Sequence, residues 1–161
     1  MKVPTLFLRD PGTQRVIDEV RPGCEWVLAE EGVPTRMYDG IGLLYDGRGW
    51  WQKALGNTGD EPDYAWVRPS AKVSKCITLG IGHAVTMIIG TYELCGPDIH
   101  NNPEGLDEYA LIRHAGLPEV PNVPLTYDEL RDFMSRWPHE GIVWHHPDGR
   151  AAKLRVTDFP R

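Results

Sequence analysis

Glu140, Lys153 and Arg155 are the residues whose types and spacing first suggest chemistry. They lie in residues 140–146 (EGIVWHH) and 150–156 (RAAKLRV), which flank Pro147-Asp148-Gly149. Pro, Asp and Gly in succession are a strong turn signal, so the two segments read as a β-hairpin. In a regular hairpin centred on Asp148-Gly149, Trp144 opposes Lys153 and Ile142 opposes Arg155. Side chains alternate along each strand, so Glu140, Ile142, Trp144, Lys153 and Arg155 are expected on one face. A carboxylate and two cations beside apolar residues could receive a phosphorylated, flat-ringed ligand. On this segment alone, an incidental ion pair on a solvated strand face is the better reading. A β-bulge would also rearrange the face.

Other chemistries find less support. His83, His100, His114, His139, His145 and His146 are scattered, without an HExxH or a Cys/His zinc spacing. Cys24, Cys76 and Cys95 are odd in number and widely spaced, as expected of reduced thiols. No GxxxxGK or GxGxxG is present, which disfavours a P-loop or Rossmann enzyme. Trp50, Trp51, Trp66, Trp137 and Trp144 could stack on bases, but core packing is the better reading for most of them.

The elements that must hold such a site are mostly short strands. Residues 3–9 and 15–20 flank Pro11-Gly12 and read as a hairpin. Residues 25–30 and 33–38 read as further strands. Residues 40–44, the Tyr45–Gly49 turn and WWQKAL make another hairpin. Residues 56–63 (GNTGDEPD) are an acidic loop, and 84–95 a buried strand or two. The clearest helix is 127–136, with Thr126 as N-cap and Leu130, Phe133, Met134 and Trp137 on one face; a weaker one covers 104–114. The pattern predicts an α+β fold of antiparallel β-sheets with a few packed helices, in one domain over residues 1–161. The chain has 161 residues, 41% hydrophobic and 25% charged, with a formal net charge of −6. That balance is ordinary for a globular protein and argues against a generally basic nucleic-acid coat, though not against a local basic groove. No signal peptide or membrane-length apolar run is evident, so a cytoplasmic location is expected.

Read in order, four segments resemble the motifs of the covalent nucleotidyltransferase superfamily, and within it the ATP-dependent RNA ligases. Met37-Tyr38-Asp39-Gly40 matches Lys-x-Asp-Gly except at the lysine. Gly90-Thr91-Tyr92-Glu93-Leu94, continued by Cys95-Gly96-Pro97, is similar to the third motif. Glu140-Gly141-Ile142-Val143 is similar to the fourth. Lys153-Leu154-Arg155 is similar to the fifth, with arginine as its second cation. Each motif is weak alone; four in order, from about residue 35 to 155, are moderately specific.

The resemblance implies an adenylyltransferase (nucleotidyltransferase) domain that joins RNA ends bearing a 5′-phosphate and a 3′-hydroxyl. The motif lysine attacks the α-phosphorus of ATP, AMP passes to the 5′-phosphate, and the 3′-hydroxyl then seals the strand. It also implies roles. Lys153 and Arg155 hold the α-phosphate and stabilise developing charge. Asp39, Glu93 and Glu140 arrange Mg²⁺ or Mn²⁺ through its waters, and Glu93 alternatively touches the ribose. Arg36, Gly40 and Lys53 are further ATP-binding candidates. The family points to Val143 against the adenine, whereas the regular hairpin offers Ile142; Tyr109 is a guess for the opposite stacking partner.

Met37 stands where the nucleophile belongs. Methionine keeps lysine's length and deletes its charge and nitrogen, so no lysyl-AMP can form. Either the chain is a deliberately disabled variant, made to trap unreacted ATP and metal, which is the favoured reading because its other site positions are kept, or it is a natural nucleotide-binding pseudoenzyme. A core methionine in a chance match is the weakest reading. The alternatives in function are a capping-type guanylyltransferase or DNA ligase, and a non-catalytic ATP-binding module. No appended nucleic-acid-binding domain, membrane contact or obligate protein partner is expected.

Overall fold

A computed structural model describes residues 3–55, 64–82 and 86–160. Ten strands, three α-helices and one 3₁₀ turn follow in this order: β1 (Phe7–Arg9), β2 (Val16–Val20), α1 (Glu25–Leu28), β3 (Val33–Met37), β4 (Ile41–Tyr45), β5 (Trp50–Leu55), β6 (Tyr64–Val67), α2 (Ala71–Ile81), β7 (Gly90–Cys95), β8 (Ala110–Arg113), α3 (Tyr127–Arg136), β9 (Gly141–His145), β10 (Ala151–Arg155) and the 3₁₀ turn Val156–Asp158. The fold is α+β, with strands paired antiparallel in three sheets. Among the described residues no helix is long and apolar enough to cross a membrane.

The chain divides into two compact units. The first, built from residues 38–117, holds the five-stranded sheet β6-β5-β4-β7-β8 and α2. Leu43, Tyr92 and Leu94 on one sheet face are buried with Val73, Cys76 and Ile77 of α2 and with Ile99. Ser70 starts α2, its hydroxyl accepting from the Val73 amide at 3.2 Å.

The second unit joins residues 3–37 to 118–161, and holds the β1-β2 pair, the sheet β10-β9-β3, α1 and α3. Ile142, Trp144, Ala152 and Leu154 of β9 and β10 are buried with Leu130 and Met134 of α3, and with Leu6, Phe7, Val16 and Trp26. Burying each large apolar side chain contributes roughly 1.5–3 kcal/mol. Thr126 stands at the N-cap of α3 without a side-chain bond to a helix amide; its hydroxyl donates to the Glu129 carboxylate at 2.7 Å.

Three expectations need correction. Residues 25–30 are not a strand: Glu25–Leu28 form one helical turn, after Gly23 at φ +89°. Only glycine accepts that conformation readily. Residues 104–114 are not a helix: 110–113 form β8, hydrogen-bonded to β7 from Tyr92↔Arg113 to Cys95↔Ala110. The third concerns the β9-β10 register. Lys153 pairs with Val143 and Arg155 with Gly141, one residue from the expected pairing. The connection is five residues long, His146–Arg150, rather than a tight turn on Asp148-Gly149. A one-residue slip exchanges the faces, so Ile142 and Trp144 enter the core and Val143 joins Lys153 and Arg155. Of residues 86–95, strand structure begins at Gly90; residues 84 and 85, like the 56–63 loop, lie outside the described residues.

Candidate functional site

The candidate residues fall in both units. Arg36, Met37, Glu140, Val143, Lys153 and Arg155 belong to the 3–37/118–161 unit; Asp39, Gly40, Lys53, Glu93 and Tyr109 belong to the other.

In the first group, β9 is the central strand and fixes two rows. Met37 pairs with Gly141, which pairs with Arg155; Thr35 pairs with Val143, which pairs with Lys153. Met37, Val143, Lys153 and Arg155 therefore share the sheet face opposite the buried Ile142, Trp144 and Leu154. All four are partly exposed. Arg36 alternates to the other face. Glu140, just before β9, lies 3.1 Å from Arg155 Nε through its Oε1. The pair sets a carboxylate beside the guanidinium at one end of the row. Gly141 is demanded by close packing: a Cβ there would stand 2.3 Å from the Leu154 carbonyl oxygen. His139 precedes the row, and burial, reinforced by the Arg36 charge, holds its imidazole below the usual histidine value.

In the second group, Gly40 is fixed in the same way, since a Cβ would meet the Leu94 carbonyl oxygen at 2.3 Å. Asp39 is held at three atoms. Its amide donates to Glu104 Oε1 at 3.0 Å, its carbonyl oxygen accepts from the Cys95 thiol at 3.8 Å, and its Oδ1 lies 2.8 Å from His100 Nδ1. Glu93 pairs with Gly42 across β4-β7. On Gly42's other side the Lys53 stem passes, with its Cβ 3.3 Å from where a Gly42 Cβ would be. A cation and a carboxylate thus flank a bare glycine on one sheet face. Lys53 Nζ rests 4.1 Å over the Tyr64 ring. Glu93 Oε2 lies 3.0 Å from His114 Nε2. Tyr109, the guessed stacking partner, packs its ring against Gly96 and donates its hydroxyl to Asp98 at 2.6 Å. That bond pushes the phenol's pKa up.

The sequence reading missed His100, His114 and Glu104. Nothing in their spacing marks them, because they reach Asp39 and Glu93 only through the fold. Among the described residues no three His, Cys, Asp or Glu side chains gather to hold a metal ion. Asp39 Oδ2 and Glu93 Oε1 make no hydrogen bond among the described residues. Carboxylates of this kind fit a cation that keeps its waters, as Mg²⁺ does, rather than a closed protein cage.

No family model matches the chain, and no curated protein matches it. Among solved structures, the chain is similar to a lysine-to-methionine mutant of the Naegleria gruberi RNA ligase with AMP and Mn, at 13% identity and a TM-score of 0.46. The match covers 95% of this chain and 59% of that one, so the chain spans about three fifths of that protein's length.

Proposed function

We propose that residues 1–161 are a nucleotidyltransferase domain of the RNA ligase type. It binds ATP with Mg²⁺ or Mn²⁺, and with lysine at position 37 it would carry AMP to the 5′-phosphate of an RNA end. The observation that supports this most is the β3-β9-β10 register. It sets Met37, Val143, Lys153 and Arg155, which belong to three separate motifs, on one face.

In this reading Lys153 and Arg155 neutralise the phosphates and Val143 offers an apolar surface to the base. Glu140 orients Arg155; within the other unit, Asp39 and Glu93 would hold the waters of a divalent cation, which would supply positive charge. A lysine at position 37 would attack the α-phosphorus through its neutral amine. The Nζ–P bond forms, the bond to pyrophosphate breaks, and a proton leaves the nitrogen. The cations Lys153 and Arg155 on its face would favour that neutral form. Met37 has no such nitrogen, so the chain binds without reacting.

Incubating Met37→Lys with α-labelled ATP tests the reading. Covalent AMP on the lysine variant, and none on the Met37 protein, is the expected result. Labelling by GTP without ATP would instead favour a capping-type enzyme. Met37 itself favours a second reading, a non-catalytic ATP-binding module, which prevails if Met37→Lys binds ATP and stays unlabelled. Calorimetry showing no ATP binding with either metal would sink both.

A further inference from the structure

Asp39, in the connection between β3 and β4, and Glu93, on β7, come from different motifs, yet each meets a histidine ring nitrogen in the same way. His100 Nδ1 is 2.8 Å from Asp39 Oδ1, and His114 Nε2 is 3.0 Å from Glu93 Oε2. A carboxylate can only accept, so the facing nitrogen carries the hydrogen. For His114 this assignment is consistent at both ends, since Nδ1, 3.0 Å from Thr91 Oγ1, is then left to accept the hydroxyl's proton. The His114 amide also donates to the Thr91 carbonyl oxygen at 3.0 Å, which fixes the ring's base on β7.

His100 sits in an unusual loop. His100, Asn101 and Asn102 are consecutive non-glycine residues at φ +50°, +63° and +54°. The left-handed region is disfavoured for side chains, and a run of three persists only where the surroundings impose it. Asn102 supplies that restraint: its side chain bonds both the amide and the carbonyl of Leu106, at 2.9 Å each. The same loop presents Glu104 to the Asp39 amide.

The geometry points to His100 and His114 as positioning residues that each fix one oxygen of Asp39 and of Glu93, leaving the second oxygen for the waters of a divalent cation. Donors behind metal-holding carboxylates set the orientation of the carboxylate plane, and with it the affinity. This rests on the proposed function, and the test separates the two.

Binding of Mn²⁺ in the presence of ATP is followed by the electron paramagnetic resonance of free Mn²⁺, using the full chain with Met37. His100→Ala and His114→Ala should each weaken Mn²⁺ binding by roughly 10- to 100-fold. An asparagine amide reaches the position of Nδ1 and a glutamine amide that of Nε2. His100→Asn and His114→Gln should therefore recover binding, and His100→Gln and His114→Asn should not. Parent-like binding in the alanine variants overturns the inference, as does a loss that neither amide repairs or that both repair equally. If an alanine variant fails to fold, the two amides at that position decide. A parent that binds ATP but shows these negative results leaves the proposed function standing; a parent that binds no Mn²⁺ with ATP removes both.

Discussion

Gly40 and Gly141 show how much of an apparent nucleotide motif is backbone sterics. At each, a Cβ would stand 2.3 Å from a carbonyl oxygen of a neighbouring strand, and backbone cannot move aside as a flexible side chain can. Gly40→Ala and Gly141→Ala should each lower stability by about 1–3 kcal/mol in urea unfolding, the usual range for overpacking. An alanine tolerated at both would show that the strands can part. Gly149, with open space around it, contrasts through its φ of +95°. Arg155 belongs to the opposite class. Its ion pair with Glu140 is half-exposed, so Arg155→Ala should change stability by less than about 1 kcal/mol. ATP affinity should fall far more, and calorimetry beside urea unfolding would read the two apart; equal small effects would remove Arg155 from the ligand's contacts. Asp39 and Glu140 stand out in the sequence because each is followed directly by a glycine. The histidines do not, since His100 and His114 reach Asp39 and Glu93 across 61 and 21 residues.

Elements were readable where local signals and tertiary pairing agree. The β1-β2 and β4-β5 hairpins and α3 follow from turn residues and periodicity. Residues 110–113 went the other way, since pairing with β7 overrides any helical preference of 104–114. Helix α2 was overlooked although Ser70 caps it and Val73, Cys76 and Ile77 keep helical spacing; its β-branched residues and Gly80 dilute the signal. Ser70→Ala should cost about 1 kcal/mol and Ser70→Asp little, by thermal unfolding. The register of β9 and β10 was beyond the sequence for another reason. Pro147-Asp148-Gly149 marks a turn without fixing its length, and one residue decides which face is buried. A double-mutant cycle checks the pairing observed. Ile142 and Leu154 should couple by about 0.5–3 kcal/mol, and Ile142 and Arg155 hardly at all. The reverse order would restore the tighter hairpin.

Among the described residues, the groups with shifted pKa values define a band of pH in which the fold is most stable. Asp98 is held below its ordinary value by the Tyr109 hydroxyl and then Lys72; Asp46 by the Trp51 indole N–H; Asp148 by the Arg150 amide. Lowered carboxylates contribute stability above the unfolded value of 3.8 and lose it as pH falls through their folded values. His139 acts at higher pH. Its folded value lies below 6.5, so the unfolded chain binds the extra proton first and stability declines as pH drops through 6.5. Further acidification below the folded value adds nothing more from this group. On the alkaline side, burial raises the Cys24 thiol above 9.0, and the bond to Asp98 raises Tyr109 above 10.0. Both stay protonated longer when folded, so stability falls as pH rises past those unfolded values. The melting temperature should therefore plateau between about pH 6.5 and 9, with two steps on the acid side. His139→Gln separates the steps, because it removes the histidine proton while keeping a polar side chain beside Trp137. Its melting temperature should stay level from pH 7 down to the carboxylate range, where the parent already declines. Parallel curves for parent and variant between pH 7 and 5 would show that the early acid step arises elsewhere.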